Sequence, residues 1–306
     1  MAPSNAVIHA IREGDTGKEV SKRFTICIIA NPALEAPWNT GVFVTDPIMG
    51  DQAAFDACAQ YVDTSLFGGL PNQSEQVFAD PSISQRVRVV SLFVPGLPAQ
   101  DSNSLVGQDD VSNLLIARRG MFSAWLAQFG LAADVACAVS KSASHTRASA
   151  WFTSDDPSRS GVSLTLDGVA RVHCYYNLTP GTVALHCTAY SLTALHEFGH
   201  ALSSYENGMV VDLYVDSNPG LNCKRGRPIP ATFGTYDRSV FSSDMTRDGL
   251  GYPSGWQSYH CELNAPGFPA VMDDYWLAPD SVPEHCEHDG ITRRFLLDRI
   301  LAKLAR

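Results

Sequence analysis

The chain contains no C-x-x-C pair, no lysine- and arginine-rich run of five residues or more, and no apolar run of about 18 residues or more. Each absence removes a class. Without C-x-x-C, a structural zinc knuckle and a thioredoxin-type redox centre are not expected. Without a long apolar run, no membrane-spanning helix is expected. The net charge is −10 and the pI about 5.3, so a general nucleic-acid binder, which needs a basic face, is not expected either. The opening stretch MAPSNAVIHAIREGDTGKEVSKRF is too polar for a signal peptide. That points to a cytoplasmic protein, to a leader already removed, or to export by another route. No internal repeat is visible.

What is present is ordinary for a folded chain. Of 306 residues, 45% are apolar and 18% charged, enough for a large core in one domain or two lobes. There are eight cysteines. Cys27, Cys58 and Cys137 lie in apolar segments and are expected to be reduced core residues. Cys223, Cys261 and Cys286 lie in loop-rich sequence, where disulfides are easy to place; an even count permits bridges without requiring them.

Residues 1–23 read as a polar N-terminal arm. Phe24 to Ala30 (FTICIIA) reads as a buried strand, broken by Asn31-Pro32, and Val42 to Thr45 as a second short one. Asp51 is placed to cap a helix burying Ala54, Phe55, Cys58, Val62 and Leu66 and ending at Gly68-Gly69. Arg86 to Val94 reads as a strand closed by Pro95-Gly96. A polar loop to Asp110 and a helix from Val111 to Phe129 are expected next. Val135 to Ser140 and Ala148 to Thr153 read as strands, and residues 162–176 as a hairpin around Asp167-Gly168. Beyond Asp216 about 70 residues rich in Gly, Pro, Asp and Ser read as irregular, a length that is more often functional than idle. Ile291 to Leu304 reads as a closing amphipathic helix. The expected fold is α/β (α+β): a single domain over 24–306, with an upper lobe to about residue 208 and a loop-built lower lobe.

The most informative stretch is SLTALHEFGHALSSYENGMVVD, residues 191–212, which contains His196-Glu197-Phe198-Gly199-His200. Ser191 is a plausible N-cap, and Ala194, Leu195, Phe198, Ala201, Leu202 and Tyr205 form one apolar stripe. Asn207-Gly208 reads as the helix end, with Met209 to Val215 extended after it. On a helix, residues four apart lie on one face, so His196 and His200 can offer two imidazoles to one metal ion. Glu197 points roughly 100° round the helix, beside the metal and placed to take a proton from water. The spacing H-E-x-x-H reads as a zinc hydrolase, most often a peptidase.

A catalytic zinc takes three protein ligands and leaves one position open. Asp212 follows Gly208 by four residues, so a reversal of the chain can return it to the histidines. Asp237 and His260 are later candidates. Glu206 is near in sequence but, on a continuing helix, points about 80° away from the His196 direction. The order of preference is Asp212, Asp237, His260, Glu206.

The segment HEFGHALSSYENGMVVDLY resembles the zincin metallopeptidases, and within them the metzincin-like group. His196, Glu197 and His200 match directly. Gly208 matches the turn glycine at a later position, and the usual glycine position holds Ser203. Asp212 stands for the usual third histidine. The segment also resembles the IgA-peptidase-like metallopeptidases, in which H-E-F-G-H is followed by an Asp-x-Tyr, here Asp212-Leu213-Tyr214. Pro269 to Tyr275 resembles the methionine turn, with Met272 as its floor. The resemblance covers roughly residues 160–275. It implies a zincin fold, in which the 162–176 hairpin joins the sheet above the cleft and an edge strand can pair with an extended substrate.

It further implies a zinc-dependent endopeptidase acting on a peptide or protein. Zn2+ is held by His196, His200 and Asp212, and Glu197 is general base and then acid. His260 or Tyr275 is a candidate to assist the oxyanion, and Trp256 and Trp276 are candidate cleft residues. The alternatives are a metal-containing module that binds a peptide or protein without cutting it, and a zinc hydrolase of a non-peptide substrate.

Overall fold

The structure, a computed structural model, describes residues 5–68, 77–111, 113–118, 121–144, 148–151, 181–186, 191–202, 205–206, 209–215, 241–244, 256–261, 296–297 and 300–305. The strands are β1 (Val7–Arg12), β2 (Thr25–Ala30), β3 (Ala33–Glu35), β4 (Phe43–Thr45), β5 (Arg88–Phe93), β6 (Ser104–Asp109) and β7 (Leu114–Ala117). They continue with β8 (Val135–Ser140), β9 (Ser149–Trp151), β10 (Gly181–His186), β11 (Tyr205–Glu206), β12 (Met209–Val215), β13 (Phe241–Asp244) and β14 (Trp256–Cys261). The α-helices are α1 (Gln52–Phe67), α2 (Pro81–Ser84), α3 (Phe122–Ala127) and α4 (Ser191–Leu202). The architecture is mixed α/β.

A six-stranded sheet in the order β1-β5-β2-β8-β10-β9 carries the fold. Its four inner strands run parallel, and β1 and β9 lie antiparallel at the two edges. Inner parallel strands are covered on both faces and need continuous apolar sequence. TICIIA in β2 and VACAVS in β8 meet that need and are buried throughout. Alternate side chains divide between two cores. Ile26, Ile28, Val135, Cys137 and Val139 face α1 and α4, whereas Cys27, Ile29, Ala136 and Ala138 face the opposite layer.

That opposite layer is a second sheet, β4-β3-β6-β7, with α3 beside it. Trp38 lies against Gly107 of β6, where any larger residue would enter its ring. On the first face, α1 buries Phe55, Cys58, Ala59, Val62 and Leu66. Asp51 caps it, accepting from the Ala54 amide at 3.0 Å, and Gly68 ends it at φ 115°, a conformation that favours glycine. Residues 300–304 are helical, and Leu296, Ile300 and Leu304 enter the same core. The Leu304 carbonyl accepts from Lys18 Nζ and from Arg86 Nη2, the latter at 3.2 Å.

Several expectations need correction. Val7–Arg12, within the stretch read as a polar arm, is an edge strand paired with β5. The expected loop to Asp110 contains β6, and the expected helix over 111–129 is instead the strand β7 followed by the short α3. Leu114 to Ala117 alternate in burial with period two, as a strand does, and Asn113 at φ 58° supports the turn before them. Val111, assigned to that helix, is 97% exposed. Directly before α4 the chain forms β10, which had no place in the expected order. The second half is also more regular than expected: β11-β12-β14-β13 form a four-stranded sheet. The 162–176 hairpin lies outside the described residues. Among the described residues no helix is long and apolar enough to cross a membrane.

Candidate functional site

The H-E-x-x-H sequence falls on α4, a regular helix lying against α1 and across β10, β9 and β8. Ser191 is its first residue. Ala194, Leu195, Phe198, Ala201 and Leu202 bury in the core, as the apolar stripe requires. The Phe198 ring meets Phe78 edge-on, with centroids 6.2 Å apart and planes at 87°. Because Phe198 lies between the two histidines in sequence, this contact fixes the helix's rotation about its own axis.

The helix stops at Leu202, earlier than expected, and Tyr205 belongs to β11. β11 pairs antiparallel with β12 in the register Tyr205↔Val210 and Glu206↔Met209. Asn-Gly between two such strands is a hairpin signal as well as a helix-end signal, and here strand pairing wins. Asn207 and Gly208 themselves lie outside the described residues. The chain does reverse after the histidine helix, and β12 comes back against α4.

His196 and Glu197 are 7% and 6% exposed. Two polar side chains at adjacent positions of one helix are thus nearly withdrawn from water, which costs free energy unless they are engaged. Glu197 is close enough to the Cys137 thiol of β8 to act on it. That thiol is pushed well above the ordinary range, first by complete burial, then by Cys58, Cys27 and Glu197. Cys27, Cys58 and Cys137 are buried and form no disulfide, as expected.

His200 lies on α4 four residues after His196; its side chain lies outside the described residues. Three third-ligand candidates fall in the small sheet that begins after α4. Glu206 is in β11, and Asp212 is in β12 opposite Ser258 of the parallel strand β14. Tyr214 stands opposite His260, so Asp212 and His260 occupy adjoining strands two register positions apart. Asp237, Met272, Tyr275 and Trp276 lie outside the described residues, and of Trp256 only its place at the start of β14 is described. Among the described residues no three His, Cys, Asp or Glu side chains gather as metal donors, a set that does not include the side chains of His200, Asp212 or His260.

Two features were not anticipated from the sequence. One is the meeting of Cys58 and Cys137 in the core that α4 covers, which becomes visible only when β8 and α1 are brought together. The other is the wholly buried Asp46, whose Asp-Pro pair carries a turn-cap signal but no sign of its depth. Neither known family models nor curated proteins match the chain.

Proposed function

We propose that the chain is a zinc-dependent endopeptidase of the zincin type, metzincin-like, hydrolysing peptide bonds with Glu197 as general base. The observation that carries this reading is the near-complete burial of His196 and Glu197 on one regular helix, with His200 one turn on. Their burial sets the pair apart from an ordinary solvated helix face. The donor set fits zinc: two imidazoles four apart on a helix, with carboxylates and a further histidine in the sheet that follows. His196 and His200 would hold the ion, with Asp212 the preferred third ligand. When bound, zinc supplies Lewis acidity, making water nucleophilic near neutral pH and polarising the scissile carbonyl.

The chain's own residues supply the remainder. Glu197 accepts the proton of the attacking water and delivers it to the leaving amine. Its carboxylate is held by a helix whose apolar stripe is locked in the core, so its position costs little reorganisation during turnover. Among the described residues β9 is the outer strand beside β10, and an edge of that kind would support an extended peptide as substrate. His260 or Tyr275 would assist the oxyanion. A peptide or protein is the proposed partner, with no role in nucleic-acid binding.

The test is Glu197→Gln with a broad peptide library. Turnover should fall by at least ~100-fold, in line with loss of general-base catalysis, while zinc content stays unchanged. Full turnover in that variant would remove the assigned role.

A further inference from the structure

Arg12 sits at an irregularity of β1. Ala10 stands opposite Val90 and Arg12 opposite Val89, so one extra residue is accommodated between them. A bulge of this kind re-aims side chains. Here Ile11 packs into the core that α1 and α4 share, and Arg12 reaches α1 as well. Its Nε donates to Asp63 Oδ1 at 2.5 Å, and Asp63 is buried. The same guanidinium lies over the Phe67 ring, its Cζ 4.2 Å from the centroid. Asp63 and Phe67 are one turn apart on α1, so a single guanidinium engages both. A planar guanidinium can donate in its plane and stack on its face at once, which an ammonium cannot.

Phe67 passes the contact inward. Its ring meets Phe78 edge-on, with centroids 5.6 Å apart and planes at 66°, and Phe78 meets Phe198 in the same manner. Phe78 and Phe198 are wholly buried, and Phe67 packs partly buried against the same core. Edge-to-face contacts depend on ring orientation, so fixing one ring restrains the next. A close-packed interior leaves a displaced ring little room to turn. Arg12, Phe67, Phe78 and Phe198 therefore form an unbroken line of contact. It runs from the edge strand β1 to α4, where Phe198 lies between His196 and His200 in sequence.

We propose that Arg12 is a positioning residue for the H-E-x-x-H helix: clamped by Asp63, its guanidinium holds the Phe67 ring and, through Phe78 and Phe198, sets the rotation of α4 about its axis. Its chemical consequence rests on the zinc reading, since that rotation decides where His196 and His200 point. The metal helix thereby answers to a strand at the outer edge of the six-stranded sheet, with β5, β2 and β8 between that strand and β10. Filling space is a different role. It would need only an aliphatic side chain at position 67 and no cation at position 12.

The experiment measures amide hydrogen exchange along the full chain, and zinc affinity by chelator competition, in the parent and three variants. Phe67→Leu removes the ring, Phe67→Tyr keeps it, and Arg12→Lys keeps the charge without the plane. In Phe67→Leu and Arg12→Lys the amides of α4 should exchange roughly 10-fold faster and zinc should bind roughly 10-fold more weakly, while α3 and β6, on the other side of the sheet, exchange as in the parent. Phe67→Tyr should match the parent in both readouts. Arg12 is 32% exposed, so Arg12→Lys carries the test if Phe67→Leu does not fold. An α4 that exchanges at the parent rate, a rise shared equally by α3 and β6, or a Phe67→Leu that behaves like Phe67→Tyr would overturn the positioning role. A parent that takes up no zinc would instead remove the zinc reading, and α4 exchange would still decide whether Arg12 holds the helix.

Discussion

Phe198, the residue after the proposed general base, packs edge-on against Phe78 at 6.2 Å and 87°. The contact ties the H-E-x-x-H helix to the segment just before α2. Truncation at this position removes both the aromatic contact and a fully buried ring. Phe198→Ala should lower unfolding stability by about 3–5 kcal/mol, read from urea denaturation. Any turnover should fall with it, because the helix loses its rotational lock.

A second prediction concerns the loop over the second sheet. A Cβ placed on Gly107 would lie 2.1 Å from Trp38 Cε3 and 2.7 Å from Cζ3. The Trp38 amide donates to the Gln108 carbonyl at 2.7 Å, so the ring has little room to retreat. Gly107→Ala should displace Trp38 at a cost of about 1–3 kcal/mol, as overpacking does. A red shift in tryptophan emission, absent from a Trp38→Phe background, would report the displacement.

Asp51 couples the helix α1 to β8. The Lys141 ammonium, and then the Ala54 amide, hold its carboxyl below the ordinary range. A depressed folded-state pKa contributes stability above the unfolded value and loses it as the pH falls through the folded one. The Asp51→Asn variant should therefore differ from the parent at neutral pH and approach it below about pH 4 in acid-unfolding curves.

The thiols make a fourth test. Burial pushes Cys27 up to about 12, with Arg88 opposing the rise, and Cys137 is raised well above its ordinary value by burial first. Thiolate is the reactive form, so both should resist alkylation in the native protein at pH 8 and react fully in urea. Peptide mapping after iodoacetamide treatment decides it; rapid native labelling of either would contradict their burial.

The parts of the fold that could be read from sequence were those with one strong local cause. The uninterrupted apolar runs of β2 and β8 admit only doubly covered strands, and Asp51 with Gly68 bracket α1 by cap chemistry. The unreadable parts had two local answers. Leu114 to Ala117 is apolar enough for a helix and becomes β7 because β6 is there to pair with it. Asn207-Gly208 suits a helix end or a hairpin, and β12 decides between them. β10 is set by its neighbours β8 and β9, which no local pattern reveals. At the site, the histidine spacing and the apolar stripe were legible because both are properties of one helix. The shared core of Cys58 and Cys137 and the junction of Asp46 with Asn31 and Lys141 were not, because each is made by residues distant in the chain.

Elemental mass spectrometry of protein purified without added metal decides whether the proposed metal is there. About one zinc per chain is expected, as a single catalytic site requires, with the zinc lost in His196→Ala and in His200→Ala and retained in Glu197→Gln. Protein that carries no zinc and takes up none on titration would contradict it.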